Sequence, residues 1–126
     1  MIYLKAEREQ FERTKKAFAD AFKGILEGMW KTFEGKAKVR DVGSPIHHRQ
    51  SPQEQVGMAK AKCRRLESIM SEDGWEDDPK ALALVIEECG DAANYLTFVA
   101  ALCSLLLAEE GKVTAGKMDL SKLRGE

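Results

Sequence analysis

Ala81-Leu82-Ala83-Leu84-Val85-Ile86-Glu87-Glu88-Cys89-Gly90-Asp91-Ala92-Ala93-Asn94-Tyr95-Leu96 is a helical run, apolar except for three carboxylates and one amide. Carboxylates are costly to remove from water unless they hold a metal, pair with a cation or accept hydrogen bonds. A helix turns by about 100° per residue, so residues three and four apart share a face. From Glu87, the residues Glu88, Asp91, Asn94 and Tyr95 fall within roughly one side, together with Leu84 and Phe98. The acids thus stand in an apolar row, which makes the chain helical and marks a site. A structural salt-bridge site or an acidic bundle end is the alternative.

Working outward, Asp78-Pro79 opens this third helix and Gly111 closes it, so it is expected over about 79–110. Beyond Ala92 it is apolar nearly all round. Val85, Cys89, Ala92, Leu96 and Cys103 take one side; Leu84, Tyr95, Phe98, Leu102 and Leu105 take the other. A helix greasy on two faces needs more partners than two short neighbours provide, which predicts a homo-oligomeric bundle. The most apolar stretch, Ala92 to Ala108, is shorter than a spanning helix and flanked by acids, so no membrane span is expected.

Upstream lies an acidic turn, 72–78, around Gly74-Trp75. Before it, Ser51-Pro52-Gln53-Glu54 supplies an N-cap, a first-turn proline and a capping-box glutamate. The second helix is expected over about 52–71, with Val56, Ala59, Cys63, Leu66, Ile69 and Met70 as its apolar stripe. Lys62 falls within the span of that stripe and Arg65 at its margin, whereas Lys60, Arg64 and Glu67 read as surface charges. An inward lysine snorkels or finds an acid. Antiparallel packing of the second and third helices would bring Lys62 toward Glu88 and Asp91.

The first helix is expected over about 5–33. Phe11, Phe18, Phe22, Ile25, Leu26, Met29 and Phe33 recur at three- and four-residue steps as one buried stripe, and Gly35 is the expected stop. Residues 36–50 read as a loop, broken at Gly43-Ser44-Pro45, and 112–126 as a polar tail. The loop holds His47-His48-Arg49 just ahead of a helix N-terminus, where backbone N–H groups favour phosphate. Two solvent-exposed histidines are the alternative there.

The whole chain is therefore expected to be all-α: one domain over 1–111, an antiparallel bundle of three main helices completed by oligomerisation. Its 126 residues suit a single domain. A net charge of -1 gives no global attraction to nucleic acid or anionic membrane, so neither is an expected partner. Cys63, Cys89 and Cys103 fit no zinc spacing and are odd in number, which predicts buried free thiols in a reducing cytoplasm. Met1-Ile2-Tyr3-Leu4 runs straight into Lys5-Ala6-Glu7-Arg8 with no secretory signal pattern, which agrees with that location. No phosphate-binding loop, dinucleotide fingerprint or Ser-His-Asp order is present.

Glu87-Glu88-Cys89-Gly90-Asp91 followed by Asn94-Tyr95 resembles the third-helix motif of the MazG-like, all-alpha nucleoside triphosphate pyrophosphohydrolases. Lys62, Arg65-Leu66 and Asp91-Ala92-Ala93-Asn94-Tyr95 are similar to the nucleotide-modification-associated helical domain of phage genomes. The resemblance covers about 56–107. It implies Glu87, Glu88 and Asp91 as catalytic acids, with Glu88 and Asp91 as Mg²⁺ ligands. It further implies Lys62 and Arg65 on phosphates and Asn94 and Tyr95 shaping a nucleotide pocket, in a dimer or tetramer. His48 and Arg49 join the candidate nucleotide contacts from the loop reading. Met58 and Ala61 stand where the family's earlier helix normally supplies acids. Three readings stay open: a Mg²⁺-dependent pyrophosphohydrolase releasing monophosphate and pyrophosphate, a catalytically silent nucleotide-sequestering protein, and a structural or protein-interaction bundle.

Overall fold

A computed structural model describes residues 2–40 and 50–111. The described residues are helical or turn, with three main helices: α1 (Ile2–Arg40), α2 (Pro52–Met70) and α3 (Pro79–Glu109). The chain divides into two compact units, Met1–Val39 and Arg40–Glu126. The His47-His48-Arg49 loop and the tail from residue 112 lie outside the described residues.

The first unit is α1, which runs seven residues past the expected end. Gly35 is no stop: the helix passes through it to Arg40. Glycine in a helix interior costs about 1 kcal/mol relative to alanine, too little to end a helix when good formers follow it. Lys36, Ala37 and Lys38 are such residues. The expected buried stripe is also corrected, because Phe11, Phe18, Phe22, Ile25 and Leu26 are all exposed. A single helix has no interior, so its aromatics cover one another only along its length. Phe18 and Phe22 lie with ring centroids 6.4 Å apart, and Trp30 stacks on Phe33 at 5.7 Å.

The second unit is the α2–α3 hairpin. Its local signals act as the sequence suggests: the Ser51 hydroxyl accepts from the Glu54 amide at 3.1 Å, with Pro52 opening the helix. The Asp78 carboxylate accepts from the Lys80 amide at 3.0 Å ahead of Pro79. Between the helices the chain reverses through Gly74, whose φ of 79° lies in the left-handed region, and a single 3-10 turn, Trp75–Asp77. Gly111, at φ 75°, follows α3 as a left-handed cap.

Lys62 reaches Glu88 and Asp91 while Arg65, one turn further along α2, reaches back to Glu88, so the two helices are antiparallel. Their facing residues recur in alternating steps of three and four. On α2 these are Gln55, Ala59, Lys62, Leu66 and Ile69; on α3 they are Ala81, Val85, Glu88, Ala92, Tyr95 and Val99, all buried or half-buried. This is knobs-into-holes spacing. Ala59, Ala92, Gln55 and Glu88 are its buried members: two small apolar residues and two polar ones.

One position round α3 runs a second seam with the same spacing: Leu82, Ile86, Cys89, Ala93, Leu96, Ala100, Cys103 and Leu107, mostly exposed. The three cysteines are exposed, which corrects the expectation of buried thiols. They sit beside the α2–α3 contact, not in it. Pro79–Glu109 is also long and apolar enough to cross a membrane by length and composition, with a mean hydropathy of 1.5 in its most apolar window. A core helix of a water-soluble bundle meets the same test, so this is weak evidence of a membrane.

Candidate functional site

The polar centre of the hairpin is built from two residues on each helix. Lys62 Nζ lies 3.3 Å from Glu88 Oε2 and 3.3 Å from Asp91 Oδ2, and Arg65 Nη1 lies 3.3 Å from Glu88 Oε1. Glu88 and Asp91 are three residues apart on α3, so both oxygens reach one side; Lys62 and Arg65 are three apart on α2 and answer them.

Glu88 is the least solvated charge in the cluster, its side chain 4% exposed, against 18% for Lys62 and 21% for Asp91. Arg65 is 63% exposed, so one guanidinium edge holds Glu88 while the rest meets solvent. Glu88 Oε2 has no aligned hydrogen bond, although the Lys62 ammonium lies at ion-pair distance. That contact is therefore a charge pairing. Burial pushes the Lys62 ammonium down, but the contacts and charges of Glu88 and Asp91 outweigh it and hold its pKa above the usual 10.5. Lys62 is thus a fixed cation at any physiological pH.

The cluster brings together four of the residues singled out from sequence: Lys62, Arg65, Glu88 and Asp91. Asn94 and Tyr95 are half-buried, with Tyr95 two turns beyond Glu88 on the seam facing α2. Glu87 is exposed, which corrects its placement in one row with Glu88. Neighbouring residues point about 100° apart, and only one of them can face α2. His48 and Arg49 lie outside the described residues.

Two features escaped the sequence reading. Gln55, one heptad before Lys62 on the same seam, is 3% exposed and donates its amide to Gln50. On the flank of the hairpin, Val56, Ala59, Cys63 and Leu96 floor an open cleft of about 360 Å³, rimmed by Lys60, Arg64 and Glu67. Its signal was present in sequence, since Val56, Cys63 and Glu67 share a face with Lys60. Only the antiparallel register sets Leu96 against them.

Among the described residues, no three or more of His, Cys, Asp and Glu gather as a metal-binding group. Comparison with known families, curated proteins and solved structures finds no match to this chain.

Proposed function

We propose that the chain is a nucleotide-binding protein whose phosphate contact comes from the exposed edge of Arg65, set beside Lys62 by the shared acids Glu88 and Asp91. The observation that carries this reading is the convergence of Lys62 and Arg65 with Glu88 and Asp91 across two helices. These are the residues that the likeness to MazG-like and nucleotide-modification-associated domains designates, drawn from stretches more than twenty residues apart. Arg65 supports the reading further: its guanidinium pairs with Glu88 through Nη1 while the rest meets solvent, leaving N–H groups that can grip a phosphate. Asn94 and Tyr95 would then flank the base or sugar.

A resident Mg²⁺ fits this donor set poorly. It offers two carboxylates, both already engaged by the Lys62 ammonium, where Mg²⁺ demands near-octahedral oxygen coordination. Anhydride cleavage draws on a metal to neutralise phosphate charge and to activate water. The proposal is accordingly capture of the nucleotide, and hydrolysis to monophosphate and pyrophosphate is the outcome that would displace it.

The test is to incubate the protein with a panel of nucleoside triphosphates and Mg²⁺. Thermal stabilisation by one nucleotide, without products, supports capture; saturation at a hundredfold over Kd corresponds to about 2.7 kcal/mol. Release of monophosphate and pyrophosphate, lost in Asp91→Ala, replaces capture with hydrolysis. Neither response leaves the second reading, a helical interaction module. That reading has an observation of its own: Lys62 and Glu88 occupy facing seam positions, where a buried polar pair fixes the register of a helix pair.

A further inference from the structure

We infer that the Lys62 ammonium is itself the resident cation of the Glu88–Asp91 pair, so that the cluster excludes a divalent metal ion. The inference concerns the ion cluster alone and stands whether or not a nucleotide binds.

A divalent cation shared by Glu88 and Asp91 would lie on the side where their oxygens converge. That place is taken: Lys62 Nζ sits 3.3 Å from an oxygen of each. Metal–oxygen bonds of about 2.0–2.6 Å would set the ion well inside contact distance of the ammonium. Two positive centres that close, in a partly desolvated crevice, repel strongly. Withdrawal of Lys62 would strand a long side chain now lodged in the α2–α3 seam. Arg65 adds a second positive group on the far oxygen of Glu88. The two carboxylates and two cations already balance, so an added ion has no net charge to neutralise. No third acidic or imidazole ligand joins them among the described residues.

The inference makes a prediction opposite to the usual effect of removing a binding-site residue. Lys62→Met, which keeps an unbranched apolar stem but deletes the ammonium, should create a divalent-cation site in place of destroying one. Mn²⁺ alone is the probe. In the wild-type protein, assigned NMR signals of Glu88 and Asp91 should show no saturable paramagnetic broadening at millimolar Mn²⁺. In Lys62→Met the same signals should broaden at roughly tenfold or more lower Mn²⁺, and Mn²⁺ should raise its melting temperature. Lys62→Met/Asp91→Asn should lose both responses. Saturable broadening at Glu88 and Asp91 in wild type overturns the inference, and this measurement needs no variant. A folded Lys62→Met that gains no Mn²⁺ response overturns it as well. If Lys62→Met does not fold alone, recovery of helical signal on adding Mn²⁺ supports the inference, and failure of Lys62→Gln to respond either way overturns it.

Discussion

Glu88 carries a charge into the seam between two helices, and Lys62 is what makes that tolerable. Removing one member of a buried pair leaves the other uncompensated, at a cost of about 3–5 kcal/mol when both are fully dry. Lys62 and Asp91 keep some solvent, so Lys62→Met should lower unfolding free energy by about 2 kcal/mol in chemical denaturation. Lys62→Met/Glu88→Gln should recover part of that loss. Arg65→Gln should change stability by about 0.5 kcal/mol or less, because the guanidinium is mostly in water. A pH signature follows from the same contact. The folded pKa of Lys62 is raised above its usual 10.5, so its stabilisation is complete below that value. It is lost as pH rises through the folded pKa. Denaturation midpoints above pH 10.5 should therefore fall more steeply in wild type than in Lys62→Met. At this scale much was legible in sequence: a lysine within one apolar stripe and acids within another predict their pairing. The Glu87–Glu88 doublet was not, since only the seam chosen by tertiary packing decides which of two adjacent acids turns inward.

At the scale of the element, the helix starts were legible because capping is local chemistry. Ser51 and Asp78 each satisfy an otherwise unpaired amide of the first turn. Ser51→Ala and Asp78→Ala should each cost about 1 kcal/mol, read from thermal or urea unfolding. Gly74→Ala should cost about 1–2 kcal/mol for a different reason, since alanine resists the left-handed backbone there. The end of α1 was not legible from Gly35. A glycine stops a helix only when it takes the left-handed conformation, and helix-favouring neighbours on both sides keep Gly35 in register. The two seams of α3 were also beyond single-stripe reading. Its apolar residues surround the axis, so periodicity shows that the helix needs more than one partner without saying which face meets α2.

At the scale of the molecule, α3 presents a second knobs-into-holes row that α2 does not cover. Ile86 is 55% exposed and Leu96 50% exposed, with Ala93, Ala100 and two cysteines between and beyond them. Rows that alternate large and small side chains let helix backbones come close. We expect this row to be covered by association of chains, the proposal that the sequence first raised from the all-round apolarity of α3. Sedimentation should then report more than one chain per particle. Leu96→Glu should shift it toward the monomer, because a carboxylate at the seam's centre cannot be desolvated without a partner. The cysteines supply an independent readout. Cys89 and Cys103 lie on this row, and Cys63 shares the flank cleft with Leu96 at the row's centre. In the assembled protein Cys89 and Cys103 should react slowly with a thiol reagent. In Leu96→Glu all three should react quickly. Equal fast labelling of wild type, with a monomer in sedimentation, would leave the row uncovered and defeat the expectation.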